Sequence, residues 1–334
     1  MTNHITSLDG MSSTTSAPLA SLHMAVYNNR PYVAQALESI HRQTYQHWEL
    51  LVWDDGSTDG SEQVIAEWAR RDPRIRLVGG KHCGAAGAMA TLTAASEGPY
   101  LGWVDSDDWL APGAVELTVA ALEQHTACGV VYTDYFDTDP HGRVHQRGHR
   151  CQVPYSRDRL LIDFMTFHFR LIRRTVYEQV GGVDASLPSA EDYDLCLRLS
   201  EITDFHHLPQ ALYYYRNHAA SASYARRLEQ IEWSAEVIRR AMIRRGLADQ
   251  WDLHVELIGR FRMARKAVKA DRAAAPDTLA PTPFKNPPVL TVPEQGKAAV
   301  IPNQVNTVPP SIAPGVSTKA WTLGTATAWA RRSL

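Results

Sequence analysis

Three aspartates crowd the end of an apolar run in GPYLGWVDSDDWLAPG: Asp105, Asp107 and Asp108. Like charges this close repel one another, and burying them adds a desolvation cost. Two carboxylates at i and i+2, just past a strand end, can converge on one hard cation if the chain turns there. Mg²⁺ and Mn²⁺ favour oxygen ligands, and Mg²⁺ takes one or two protein carboxylates while phosphate oxygens complete its shell. The same residues also suit a polar turn in which Asp108 caps a helix starting near Trp109-Leu110. Residue types alone leave both readings open.

Three further stretches carry chemistry-bearing side chains. In Asp54-Asp55-Gly56-Ser57 a carboxylate can accept a hydrogen bond from a base N–H or a ribose hydroxyl, and Tyr27-Asn28 offers an aromatic face nearby. As plain turn chemistry, the same stretch supplies Ser57 and Thr58 as helix caps. Ser189-Ala190-Glu191-Asp192 has the spacing of a capped helix start, with acids favoured by the helix dipole. It also offers Asp192 or Glu191 as a general base, whose pKa partial burial would raise usefully. Arg216 and His218 follow an aromatic run, Tyr213-Tyr214-Tyr215. Arg suits phosphate by its planar fork and neutral His can ligate Mn²⁺, while a surface loop explains both equally.

These residues need elements to position them. SLHMAV, WELLVW, RIRLV, YLGWVD and GVVYTDYF read as strands. Helical patterns separate them over residues 31–45, 60–71, 84–96 and 112–124. Strands alternating with helices predict mainly parallel pairing with right-handed crossovers. Ligands then bind beyond the C-terminal strand ends, where Tyr27-Asn28, Asp54-Asp55 and Asp105-Ser106-Asp107 all fall. Past residue 137 the pattern predicts a hairpin at Pro140–Arg143, a short strand and helix in FRLIRRTVYEQVGG, a helix after Ser189 and an aromatic strand. An amphipathic helix over 225–246 follows.

Composition narrows the class. A net charge of −2 gives no basis for a nucleic-acid partner, and no run of apolar residues is long enough to span a bilayer. The N-terminus has no basic and apolar leader pattern, and the four cysteines lie far apart, as expected of reduced thiols in a cytoplasmic protein. Residues 226–272 hold twelve Lys/Arg against seven Asp/Glu. A peripheral contact with anionic membrane is one reading of that stretch, and a packed helix with a solvated face is the other. Residues 272–334 are rich in Pro, Ala and Thr, a largely disordered tail. No P-loop, dinucleotide fingerprint or nucleophile elbow appears.

Taken in order, AVYNNRPYVAQALESIHRQTYQHWELLVWDDGSTDGS, YLGWVDSDDWLAPGAVE, GGVDASLPSAEDYDLCLRLSE and LYYYRNHAASAS resemble the family 2 glycosyltransferases of GT-A fold. The resemblance implies an α/β, Rossmann-like sheet over residues 20–225, with a nucleotide-sugar half at about 20–137 and an acceptor half at about 138–225. Residues 1–19 are then a disordered N-terminus and 226–271 a helical extension. It further implies a nucleotide-diphosphate sugar donor, with UDP expected at family level, a divalent cation (Mn²⁺ or Mg²⁺) and inversion at the anomeric carbon. Carried over by residue, Tyr27 and Asp55 hold the base with Asn28 and Asp54 nearby. Asp107 ligates the metal, Asp105 faces the ribose or the metal's waters, and Asp192 of Glu191-Asp192 is the base. Arg216 and His218 match a pair contacting diphosphate and metal.

Two departures stand out. The segment KHCGAAGAMATLT replaces the usual Asn-x-Gly, and the Q-x-x-R-W of processive members is absent. The second predicts transfer of one sugar to an acceptor hydroxyl on a glycan, lipid-linked sugar, metabolite or peptide. The first keeps open a degenerate nucleotide-sugar-binding or scaffolding module. A nucleotidyltransferase is a weaker third reading, since no Gly-rich phosphate loop follows the first strand.

Overall fold

The first two strands are apolar runs buried on both faces, β1 (Ala20–Val26) and β2 (Trp48–Asp54). That is the pattern of parallel strands covered by helices on either side. The computed structural model of the chain describes residues 19–79, 82–221 and 225–256. In it β3 (Ile75–Leu77), β2, β1 and β4 (Tyr100–Trp103) pair in parallel. The register sets Val26 opposite Asp54 and His23 opposite Trp103. Three chain segments therefore leave the sheet at one edge.

Alternation along the strands builds two cores. Leu50 and Val52 of β2 pack with Val33, Leu37 and Ile40 of α1 (Arg30–His41), while Leu51 and Trp53 meet Ala88 and Leu92 of α3 (Gly84–Ala94). Each fully buried Leu contributes about 1.5–3 kcal/mol through burial. Helices α2 (Ser61–Arg71) and α4 (Ala114–Gln124) follow β2 and precede β6 (Cys128–Thr138) in the chain.

Beyond β4 the sheet becomes mixed. Its order is β3-β2-β1-β4-β8-β6-β9-β5, with β7 (Val144–Arg147) on the end of β6 (Cys128–Thr138). Strand β8 (Arg170–Arg173) lies antiparallel between β4 and β6, and β9 (Asp204–Arg216) runs parallel to β6. The predicted hairpin at Pro140–Arg143 joins β6 to β7. Helices α5 (Arg174–Gln179), α6 (Glu191–Leu199) and α7 (Arg227–Arg244) cover this half. Val237, Ile238 and Ala241 of α7 share a core with Leu195 and Leu199 of α6.

Several local expectations resolve differently. Trp109-Leu110 is a two-residue strand, β5, antiparallel to Tyr213-Tyr214 of β9, not a helix start. The aromatic pair Trp109/Tyr214, stacked at 4.9 Å, favours cross-strand packing there. Ser57 and Thr58 do not cap α2: Ser57 Oγ accepts from the Asn28 N–H, and the Thr58 N–H donates to Asn28 Oδ1. Nor does Ser189 cap α6, whose N-cap is Ala190. The expected disordered N-terminus lies outside the described residues save Leu19. Also outside them are residues 257–271 of the helical extension and the tail at 272–334. No helix among the described residues is long and apolar enough to cross a membrane.

Candidate active site

The parallel register delivers the ends of β1, β2 and β4 to one cavity of about 790 Å³. At its β1–β2 end, Tyr27 is 55% exposed, with its ring 5.7 Å from that of His82. Asp55 is buried and accepts from the Trp53 indole (3.1 Å), the Cys83 N–H (2.7 Å) and the Gly84 N–H (3.0 Å). Burial works against its charge, but these donors, led by Cys83, hold its carboxyl below the usual range. Asp55 thereby ties the start of α3 to the end of β2. Asp54 is spent on the turn, accepting from the N–H groups of Gly56 and Ser57.

Asp105, Asp107 and Asp108 sit between β4 and β5. Because β5 pairs with β9, the residues after β9 fold onto this loop. His218 Nε2 lies 2.9 Å from Asp107 Oδ2. Asp108 is buried and Oδ1 accepts from the Arg216 N–H at 2.7 Å. Asp105 receives no such partner: His168 Nε2 stands 3.3 Å from its Oδ2. Depth within the molecule pushes the Asp105 carboxyl up to about 7, with repulsion from Asp107 and Asp192 adding to it, although half of its side chain opens onto the cavity. Burial, then Arg170 and Arg150, push the His168 imidazole well below its ordinary range, so it is neutral.

Opposite stand Glu191 and Asp192 at the first turn of α6. Arg170, buried in β8, donates to Asp192 Oδ2 at 3.0 Å and to the Thr166 carbonyl at 2.8 Å. Glu191 is pushed up to about 7 by burial and then by Asp192. Both non-glycine residues with positive φ among the described residues, Asn28 (52°) and Ala190 (62°), border the site. Such backbone strain clusters where a site needs a fixed aim.

Tyr27, Asp55, Asp105, Asp107, Glu191 and Asp192 therefore line one cavity. Asn28, Asp54, Arg216 and His218 are not part of its lining, although His218 contacts the lining residue Asp107. Arg216 is 2% exposed and engaged: Nε donates to the Asp107 carbonyl, Nη1 to that of Pro140 and Nη2 to Gln35 Oε1. Its guanidinium lies 4.6 Å from the rings of both Tyr32 and Trp109.

Sequence reasoning passed over Asn29, whose Nδ2 donates to Ser106 Oγ at 2.6 Å and ties β1 to the acidic loop. It also passed over His82, His168 and Arg170, which no local pattern marks. The doubled Asn of YNNRP was the one available signal. Among the described residues, no three His, Cys, Asp or Glu are grouped to hold a metal by themselves.

Residues 21–181 match the family model for glycosyl transferase family 2. The chain is similar to chondroitin synthase of Escherichia coli, 31% identical over 230 residues, 69% of this chain and 33% of that one. It is also similar to hyaluronan synthase of Pasteurella multocida, 31% identical over 196 residues, 59% and 20% of the two chains. It thus spans a third or less of the length of these relatives. Two solved structures share its fold. One is S. aureus TarS 1-349 in complex with UDP-GlcNAc, with TM-score 0.54 and 20% identity over 67% of this chain and 65% of that one. The other is mannosyltransferase PcManGT from Pyrobaculum calidifontis in complex with GDP-Man and Mn²⁺, with TM-score 0.51 and 19% identity over 69% and 65%. The sequence match identifies residues 21–181 as a glycosyltransferase family 2 region, and the solved structures share its fold.

Proposed function

We propose that the protein transfers one sugar, with inversion, from a nucleotide-diphosphate sugar to an acceptor hydroxyl. One observation carries this: Tyr27 and Asp55, the Asp105/Asp107 pair and the Glu191/Asp192 pair line the same cavity. The fold neighbours were solved with UDP-GlcNAc and with GDP-Man, so both nucleotides are donors to test.

The Tyr27 ring offers the base a half-exposed face, and Asp55 holds the loop that flanks it. Asp107 Oδ2 and His218 Nε2, one oxygen and one nitrogen 2.9 Å apart, fit two positions of a divalent cation's shell. Asp105 strengthens the fit: its side chain is half open to the cavity, and its repulsion with Asp107 is one a cation would relieve. When bound, Mn²⁺ or Mg²⁺ supplies charge stabilisation for the departing diphosphate. Arg216 acts on this loop from behind, fixing the Asp107 carbonyl. Asp192, aimed by Arg170, takes the proton of the acceptor hydroxyl as that oxygen attacks the anomeric carbon. The bond to the diphosphate breaks on the opposite face, which inverts the centre. Positioning and electrostatic preorganisation are the protein's contributions.

Donor hydrolysis and transfer with UDP-GlcNAc or GDP-Man and Mn²⁺ test the assignment. Asp107→Ala should remove most activity, and Asp192→Asn should lower kcat about 10²- to 10⁴-fold. Undiminished turnover in both variants would overturn the site.

A further inference from the structure

One cation in the cavity wall, Arg150, has N–H groups without a hydrogen-bond partner among the described residues. Arg150 belongs to the short 3-10 turn His149–Gln152, and its side chain lines the cavity. Its Nε and Nη1 are buried with no hydrogen-bond partner. What it touches is aromatic: its guanidinium carbon lies 4.2 Å from the Phe167 ring and 5.7 Å from that of Phe164. Another guanidinium in the cavity wall, Arg170, is engaged by Asp192 and Thr166. Buried guanidinium N–H groups left unused are costly, and ring faces return only part of that cost. A ligand that brings an anionic acceptor would complete it.

Its position says which ligand. Tyr27 and Asp55 mark the nucleotide end of the cavity. Phe164, beneath Arg150, stacks at 4.6 Å on Tyr193, the residue after Asp192. Arg150 thus stands on the side of the proposed base, where an acceptor must present its hydroxyl. Phe164 and Phe167 are half-buried and offer apolar faces to a sugar ring. The cavity already holds Asp105, Asp107, Glu191 and Asp192. Either anion matches the planar fork, but a phosphate monoester would bring nearly two charges into that field, whereas a carboxylate brings one.

We infer that Arg150 binds the carboxylate of the acceptor, so the acceptor ends in an acidic sugar. The inference rests on the glycosyltransferase reading for which substrate is the acceptor, but its test reads binding and not turnover. Calorimetry on the full chain, with and without UDP and Mn²⁺, would use disaccharide methyl glycosides ending in glucuronic or galacturonic acid. Each is paired with its carboxyl-reduced, neutral counterpart.

At least one acid should bind about 10- to 100-fold tighter than its counterpart, the range of one charged hydrogen-bonded pair. Arg150→Gln should erase the difference and Arg150→Lys restore part of it, because the charge returns without the fork. Equal binding of acid and neutral sugars by the unaltered protein overturns the inference, whatever the variants' stability. A preference that survives in Arg150→Gln does the same. So does one that moves to a sugar phosphate, or to UDP-glucuronate over UDP-glucose. Release of UDP or GDP is followed separately: none with any donor breaks the glycosyltransferase reading, while the binding preference still decides the role of Arg150.

Discussion

At the scale of single residues, the carboxylates divide by what surrounds them. Asp108 and Asp54 each give one carboxylate oxygen to backbone N–H groups, while Asp107 and Asp105 meet histidines and the cavity. Like charge at neighbouring positions thus serves two ends, loop structure and an open site. Tyr27 contributes differently, since over half its surface is free. Tyr27→Ala should raise the donor KM roughly 3- to 10-fold, the loss of one stacking face. Its thermal stability should change by less than about 0.5 kcal/mol, as for other exposed positions. Steady-state kinetics beside a melting curve separates the two effects.

At the scale of elements, the site depends on β5 closing against β9. Arg216 at the end of β9 bonds to the carbonyls of Asp107 and Pro140 and to Gln35, so it joins three segments. Arg216→Ala should cost about 3–5 kcal/mol by urea unfolding, since it strands the carbonyls of Asp107 and Pro140 and the Gln35 amide oxygen at once. Lys at 216 should not restore it, lacking the planar fork. Gly102 in the middle of β4 shows a different constraint: a Cβ there would come within 3.0 Å of Leu22 Cδ2 and of the Phe169 ring. Gly102→Ala should destabilise by about 1–3 kcal/mol through overpacking, read from the shift in denaturation midpoint. Helix α7 belongs to this scale too. Arg244 and Arg245 pair with Glu201, so this end of the basic stretch is tied to the fold.

At the scale of the whole molecule, ionisation couples to stability. His23 on β1 is fully buried and neither ring nitrogen has a partner. Loss of water, then Arg174, pushes its imidazole down from 6.5 to about 3. The unfolded chain takes a proton there below about pH 6.5, which the folded chain refuses until about pH 3. Stability from neutral His23 is therefore complete above pH 6.5 and is lost as pH falls towards 3. His23→Leu should gain on the unaltered protein as pH drops from 7 to 4, in urea midpoints measured across that range. Ligand binding gives the complementary readout. Mn²⁺ with a matching nucleotide-sugar, at about 100 times its Kd, should stabilise the fold by about 2.7 kcal/mol in thermal shift.

Much of this was readable from residue order alone. Apolar runs of strand length, broken by helical periodicity, placed the parallel half of the sheet and put Tyr27, Asp55 and Asp105 at one edge. Those signals are local, because burial on both faces of a strand is written in consecutive residues. The family pattern gave His218 and Asp107 each as an expected metal ligand, and the fold sets their side chains 2.9 Å apart although the residues lie far apart in the chain. What tertiary structure alone decided is which polar groups are spent. Arg216 carries the residue type for diphosphate and is used up by carbonyls instead. His168 and Arg170 carry no pattern, yet they flank Asp105 and hold Asp192. The reason is physical: a side chain's chemistry depends on whether its hydrogen bonds and charge are already satisfied. That follows from partners brought together by strand pairing between distant segments, such as β4 with β8 and β5 with β9.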